Sequence, residues 1–246
     1  MSDVGKKVFK ALFGTAAVWA VAVKPRLLHK ADLTVFRRYD YAHRGLHNEE
    51  LGIPENSLEA FERAAAKGYG VTADVLLSKD GMPAVFSEGK TTPLKEVLKA
   101  VDGRVPILLN LHVRKGNYAR LCEAVAEKLD LYDGLFAIES IDPRVLFWYR
   151  RQRDEYIRVQ MVDYAHMAGR SRTGRIWDFL CSSLLFNVFA APDAISESVD
   201  CHYAPGTLLC RILYHVPTMD WTVRTEEDYE KIKTDGSIVI FDGIEP

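Results

Sequence analysis

Cysteine is scarce in this chain: four in 246 residues (Cys122, Cys181, Cys201 and Cys210), with no CxxC pair among them. That excludes a disulfide scaffold and argues against a structural zinc or dithiol redox site. An excess of one charge sign is also lacking. The 32 Lys and Arg nearly balance 34 Asp and Glu, so no global basic field is offered to nucleic acid. Low-complexity and collagen-like stretches are absent, and 48% hydrophobic residues exclude a mainly disordered chain. The uncharged run Ala11–Val23 stops at 13 residues, whereas a comfortable bilayer span takes roughly 20. What is there is enough apolar material for one large folded domain.

Charge is unevenly placed. The first 40 residues hold eight basic against three acidic side chains, so the front carries +5 and the rest of the chain −7. Lys6, Lys7 and Lys10 precede the uncharged run, and Lys24, Pro25, Arg26 and Lys30 close it. Three readings fit: a secretory signal with Ala20-Val21-Ala22 as its cleavage site, a short helix held on anionic lipid, or a helix packed on the domain. Membrane association through this segment is the expectation, with a cytoplasmic protein as its alternative. Residues 1–37 are accordingly set apart as a basic and hydrophobic N-terminal segment and linker, and residues 38–246 as the folded domain.

From there, apolar runs of strand length alternate with segments of helical period. Expected strands are Tyr39–His43, Gly70–Leu76, Val105–Val113, Leu135–Glu139, Ile157–Met161, Asp193–Val199, Thr218–Val223 and Ser237–Phe241. Expected helices are Ser57–Lys67, Leu94–Val101, Tyr118–Leu129, Pro143–Arg153, Ile176–Phe189 and Glu226–Lys233, opened by capping residues such as Asn56, Asn117, Asp142 and Thr225. The segment Tyr203–Val216, which holds Pro205 and Gly206, is poorly marked as a helix. Eight strands alternating with helices in about 250 residues predict a (β/α)8 TIM barrel, preceded by an N-terminal hydrophobic helix.

Such barrels gather functional side chains at the carboxyl ends of their strands. Here those ends give His43 and Arg44, Asp74, Asn110 and His112, Glu139, Gln160, Trp221 and Asp242. Strand parity puts Thr72 with Asp74 on one face, and Asn110 with His112 on another. Polar groups facing a barrel interior cost free energy unless they have partners, so these positions read as the floor of a site.

At this point the order of motifs becomes specific. YAHRGLHNEELGIPENSLEAFERAAAKGYG followed by DVLLSKDGMPAVF, and later GLFAIESIDPRVL, WTVRTEEDYEKI and VIFDGIEP, resembles the glycerophosphodiester phosphodiesterase family from about Tyr39 to Pro246. The resemblance implies a barrel hydrolase that cleaves glycerophosphodiesters into glycerol 3-phosphate and an alcohol. It implies a divalent cation such as Mg or Ca, held by carboxylates, and two histidines that move protons on either side of phosphorus. By position it makes His43 and Arg44 catalytic, gives Arg44, His112 and Trp221 to substrate binding, and makes Glu55 and Asp74 metal ligands.

Five positions depart from the family pattern. Thr72 stands for the first carboxylate of an acidic pair, Ser87-Glu88 for His-Asp, and Asn110 and His112 for Glu and Lys. Only Gly89–Thr92 separate Glu88 from Pro93, so the lid side of the site is trimmed. Losing the general acid costs on the order of 10²–10⁴ in rate, and weakening the cation removes several kcal/mol more, on the order of its electrostatic contribution. The sequence therefore predicts a family barrel with an impaired or inactive site that keeps a glycerophosphate-type anion pocket. The alternatives are a working metal-dependent hydrolase with a reduced site, or a membrane-proximal interaction module. The basic stretch Gly169–Arg175 reads as a solvated loop, Ser87-Glu88 as a turn, and His166, His202 and His215 receive no role.

Overall fold

The computed structural model of the chain describes residues 16–28, 30–114, 116–163 and 172–246. Residues 11–15 of the basic-flanked run, residues 169–171 of the Gly169–Arg175 stretch and His166 lie outside these residues. Eight parallel strands close into a barrel: β1 (Tyr41–Ala42), β2 (Gly70–Leu77), β5 (Ile107–Leu111), β6 (Phe136–Ser140), β7 (Arg158–Val162), β8 (Ala194–Ser198), β9 (Thr218–Val223) and β10 (Ile238–Phe241). Closure comes from β1 pairing with both β10 and β2. Each strand overlaps an expected one. Two further strands, β3 (Pro83–Ser87) and β4 (Lys90–Pro93), form an antiparallel hairpin on β2. Its turn places Glu88 (φ 42°) and Gly89 (φ 78°) in the left-handed region, the backbone that a tight two-residue hairpin requires. The Ser87-Glu88 expectation of a turn thus belongs to a hairpin that the sequence reading did not anticipate.

Around the barrel run α2 (Leu58–Lys67), α3 (Leu94–Val101), α4 (Tyr118–Leu129), α5 (Pro143–Gln152), α6 (Arg172–Ser182), α7 (Asn187–Ala190), α8 (Pro205–Tyr214) and α9 (Glu226–Thr234). In α2 the apolar Ala60, Phe61, Ala64 and Ala65 are buried on one face, which is the helical period made physical. Its N-cap is Ser57, whose side chain accepts from the Ala60 N–H. Asn56 is not the cap, because its side chain is spent on Asp74 instead. Asn117 does not cap α4 by its side chain either; its Oδ1 accepts the Arg114 N–H. The single helix expected over Ile176–Phe189 is two, α6 and α7. The doubtful segment Tyr203–Val216 does hold a helix, α8, since Pro205 falls in its first turn, where a missing N–H costs nothing.

Side chains of alternate strand residues fill the barrel in layers. Tyr41, Leu108, Ala137, Val159, Ala194, Met219, Ile238 and Ile240 form one buried cluster with Leu33 and Phe36 of the preceding segment. That segment packs Leu33 and Phe36 against the barrel interior, and Tyr41 Oη donates to the Phe36 carbonyl. Gly70 is needed where Tyr41 lies across its strand, because a Cβ there would stand 2.6 Å from the ring.

Ahead of it, residues 16–22 form a helix, α1. Val23 is fully buried, its carbonyl accepting from Asn187 Nδ2 and Cys210 Sγ. The Ala20 carbonyl accepts from Tyr214 Oη. The described part of this segment thus touches the domain at Ala20 and Val23 and leaves Val18 and Val21 exposed. Among the described residues no helix is long and apolar enough to cross a membrane.

Candidate functional site

The site is built first by a sharp turn at the end of β1. Arg44 (φ 57°) and Gly45 (φ 81°) both occupy left-handed backbone, and a Cβ on Gly45 would meet the Ala60 backbone at 2.8 Å. Only glycine lets the chain pass so close to α2. The turn is locked from three sides. The Arg44 N–H donates to Thr72 Oγ1 at 2.9 Å, the Leu46 N–H to the Ala60 carbonyl at 2.8 Å, and the Asn56 N–H to the Arg44 carbonyl at 2.8 Å. Thr72 is therefore occupied in holding the Arg44 backbone.

Asp74 lies at the centre. The register Asp74↔Asn110↔Glu139 across β2, β5 and β6 aims all three side chains inward. Asp74 Oδ1 accepts from His112 Nε2 at 2.8 Å and Asn110 Nδ2 at 3.2 Å. Its Oδ2 faces Arg44 Nε at 2.6 Å and Asn56 Nδ2 at 3.4 Å, and the Asp74 N–H donates to Asn56 Oδ1 at 3.2 Å. Burial alone would raise this carboxyl, but the hydrogen bond and charge of His112, with the Arg44 guanidinium, hold it well below the usual carboxylate range. Glu55 is claimed in the same way, since both its oxygens accept from Arg44 Nη1, at 2.8 and 2.7 Å. Ser87 Oγ donates to the Glu55 carbonyl at 2.5 Å, which makes it a support for this loop.

His43 stands beside them with Nδ1 buried and without a hydrogen-bond partner. Burial, then the neighbouring Arg44 charge, bring it down from 6.5 to about 4. Because the folded value lies below the unfolded one, the unfolded chain binds more protons in that window, and this group's contribution to stability is lost as pH falls from 6.5 to about 4. The His43 ring proton resonance is accordingly expected to stay at its neutral position from about pH 8 to about pH 5. A midpoint near the ordinary histidine value in an NMR titration would contradict this environment.

Glu139, fully buried on the same floor, is pushed up to about 8 by burial, with the Asp74 charge adding to the rise. It holds Oε1 without a partner, as does the Oγ of Ser196 on β8. Trp221, inward at the end of β9 and half-buried, also leaves its Nε1 unpaired. At the rim, Asp242 pairs with His47 at 2.9 Å and with Arg224 at 3.1 Å. Gln160 does not join the mouth. Its register with Ile195 turns it outward, where Nε2 donates to the carbonyls of Ser140 and Ile141.

These contacts bear on whether a divalent cation fits between Glu55 and Asp74. A cation needs free carboxylate oxygens, yet all four oxygens here face donors of the chain itself. The Arg44 guanidinium stands between the two carboxylates, and Thr72 and Asn110 supply no charge to replace them. The residues expected to ligate metal do not fit a resident ion in this arrangement.

A second polar cluster was not anticipated from the sequence. Glu197 on β8 and Asp220 on β9 are register partners that face outward from the barrel, and with His202 they bring ligand-type atoms within 4.8 Å of one another. The group is close enough to hold a metal ion, but Arg211 of α8 already enters it. Its Nη2 donates to Glu197 Oε1 at 2.7 Å, and its Nη1 lies 2.9 Å from His202 Nε2. His202 also meets Asp220 at 2.6 Å and Asp235 at 3.0 Å. Burial, then the Asp220 charge, push Glu197 up to about 8. The cluster thus carries its own cation, and it lies behind the barrel wall rather than at the mouth.

The sequence model of the Glycerophosphoryl diester phosphodiesterase family matches residues 43–107, the stretch that carries His43, Arg44, Glu55, Thr72, Asp74 and Ser87. No curated protein sequence matches the chain. Among solved structures, an Oleispira antarctica phosphodiesterase in complex with the product sn-glycerol-3-phosphate is similar with a TM-score of 0.62 at 18% identity, over 82% of this chain and 92% of that one. A glycerophosphodiester phosphodiesterase from Parabacteroides distasonis gives 0.62 at 16% identity, over 83% and 94%. One from Agrobacterium tumefaciens gives 0.54 at 16%, over 82% and 94%. At these identities the structures show the fold, a (β/α)8 barrel.

Proposed function

We propose that this chain, whose assignment to the glycerophosphoryl diester phosphodiesterase family is supported by the match over its site-bearing residues, binds a glycerophosphate-type anion at the barrel mouth and is strongly impaired in hydrolysis. The observation that carries the reading is the fourfold engagement of Asp74 by His112, Asn110, Arg44 and Asn56. An acidic side chain surrounded in this way is neutralised internally, so the electrostatic stabilisation that a caged cation gives a phosphoryl transition state is lost. A phosphodiester also needs a proton delivered to its leaving oxygen. The position that carries the second histidine in the family holds Ser87, whose hydroxyl is committed to the Glu55 carbonyl.

What remains is a set of groups whose chemistry suits a phosphate. His43 is neutral and offers an unpaired ring nitrogen, Arg44 spends Nη1 on Glu55 and Nε on Asp74 and has Nη2 left to meet an anion, and His112 is half-exposed at the mouth. Trp221 would lie against the glycerol portion. The sn-glycerol-3-phosphate held by the Oleispira protein supports this class of ligand. The same reading places the protein at a membrane surface through residues 1–37, whose +5 charge and apolar run suit anionic lipid.

The test is hydrolysis of glycerophosphocholine and glycerophosphoethanolamine with Mg²⁺, Ca²⁺ or Mn²⁺ and with chelator, beside titration calorimetry with glycerol 3-phosphate. Binding without turnover is expected. Chelator-sensitive turnover that His43→Ala abolishes would make the protein a working hydrolase, and no heat at millimolar ligand would remove the pocket.

A further inference from the structure

Basic charge in this chain is concentrated in two segments distant in sequence. The first 40 residues hold eight basic and three acidic side chains, residues 143–191 hold eight and four, and the remaining 157 residues hold 16 and 27. The fold brings the two basic segments together. Lys24, Arg26 and Leu28 line one recess with Arg150 and Val188. From that recess Arg150 Nη1 donates to the carbonyls of Val188 at 3.1 Å and Phe189 at 2.7 Å, and Phe189 forms part of the adjoining recess. The latter is apolar, about 250 Å³, and lined by Pro143, Arg144, Phe147, Trp177, Phe186 and Phe189. Its aromatic rim is not covered: Phe189 is 60% exposed, Ile176 beside Trp177 54% and Phe147 39%, while Leu28 at the first recess is 78% exposed. Cations are set among these rings, with Arg151 over Phe147 at 5.8 Å and Arg144 over Trp177 at 5.3 Å. Some of the charge is spent internally, Arg26 on Asp154 and Asp193 and Arg144 on Asp142. Arg150 gives its donors to carbonyls and so keeps its charge.

We infer that α5, α6 and α7, together with residues 24–28, form a docking face for an anionic lipid bilayer. Exposed aromatic and aliphatic side chains beside arginines are what an interfacial surface needs: the rings enter the headgroup boundary and the cations meet lipid phosphates. Continuity with α1 favours lipid over a protein partner. Val18 and Val21 of that helix are exposed, and the basic-flanked apolar run that α1 ends leads into the first recess at Lys24. The inference rests on the membrane reading of the N-terminal segment and adds a second, folded contact to it.

The experiment uses the full chain and phosphatidylcholine vesicles with and without phosphatidylglycerol, read by co-sedimentation over a salt series. The wild type is expected to partition onto the phosphatidylglycerol vesicles and to leave them as salt rises. Phe147→Ser with Ile176→Ser and Phe189→Ser should lower that partition by on the order of tenfold. Arg151→Glu with Arg175→Glu, two exposed arginines of α5 and α6, should lower it comparably and flatten the salt dependence. Binding of both variants at wild-type strength would overturn the docking face while leaving the N-terminal segment as the contact. No binding by the wild type would overturn both readings. Loss of a dimer in the serine variant, seen by analytical ultracentrifugation without any vesicle binding, would assign the face to a second copy of this chain. Calorimetry with glycerol 3-phosphate should be unchanged in each variant, which separates this face from the mouth.

Discussion

The variant carrying Thr72→Glu, Ser87→His, Asn110→Glu and His112→Lys together is expected to bind Mn²⁺ or Ca²⁺ on the order of 10²-fold more tightly than the wild type, about 2.7 kcal/mol. The gain has an identifiable source. In the wild type, Asp74 gives Oδ1 to His112 and Asn110, so one neutral amide and one imidazole occupy the side from which an ion would approach. Asn110→Glu converts a donor to that oxygen into a second acceptor beside it. His112→Lys removes the imidazole contact, and Thr72→Glu adds a third carboxylate on the face that Thr72 shares with Asp74. Three carboxylates crowded in a half-buried mouth repel one another unless a cation joins them, and that repulsion is the drive for uptake. Ser87→His releases the Glu55 carbonyl and sets an imidazole at the end of β3. With a proton donor present, hydrolysis of glycerophosphocholine should rise by on the order of 10²–10⁴ over the wild type in the presence of the ion. Titration calorimetry reads the first effect and a choline-release assay the second. A variant with a wild-type circular dichroism spectrum and unchanged cation affinity would contradict the positional mapping.

The barrel was legible because its signals are redundant. β5 reads Ile-Leu-Leu-Asn-Leu, all buried, and α3 shows its apolar face at Leu94, Val97, Leu98 and Val101, so period and position agree. The mouth was legible in part. Parity correctly paired Thr72 with Asp74 and Asn110 with His112, since parity follows from the backbone alone. Parity does not say what a side chain touches. Asn56 was read as a cap because of its place before a helix, whereas its φ of 56° takes it out of cap geometry and delivers its amide to Asp74. Gln160 sits at a strand end yet faces outward, because one step of register exchanges the two faces of a strand. The Glu197, His202, Asp220 and Arg211 cluster joins a strand, a turn, a second strand and a helix, and no local spacing links them. Its one sequence clue is two carboxylates on adjacent strands at outward positions, where apolar residues are the rule. Arg158 is a similar case: a strand-opening arginine looks like a solvated end until the fold closes over it.

Arg158→Met is expected to destabilise the protein by about 3–5 kcal/mol, because it breaks a buried ion pair from one side only. The Arg158 side chain is completely buried. Its Nη1 donates to the carbonyls of Asp154 at 3.0 Å and Tyr156 at 3.2 Å, and its Nη2 to that of Ala191 at 3.3 Å. The carboxylate of Asp193 lies 3.9 Å from Nη2 and accepts the Arg158 N–H at 3.0 Å. Methionine fills a similar volume, so packing loss is small and the cost comes from the Tyr156 and Ala191 carbonyls left without this donor, the Asp154 carbonyl keeping Arg26 Nη1 at 2.9 Å, and from Asp193 left with Arg26 as its cation, at 3.5 Å. Burial already raises the Asp193 carboxyl, against the lowering effect of the Arg158 and Arg26 charges, so losing Arg158 removes one of the two charges that oppose the rise. The effect should reach the N-terminal segment as well, since Arg26 and Ala31 both contact Asp193 and the residues that follow carry Leu33 and Phe36 into the barrel. A thermal melt is expected to shift down by roughly 10 °C for a chain of this size. Arg158→Met with Asp193→Asn should recover part of the loss, because the second change removes the uncompensated charge while the amide oxygen still accepts the shorter of the two backbone hydrogen bonds, from the residue-158 N–H. A single variant that melts within about 1 kcal/mol of the wild type, or a double variant less stable than the single, would mean that the pair does not hold this end of the barrel closed.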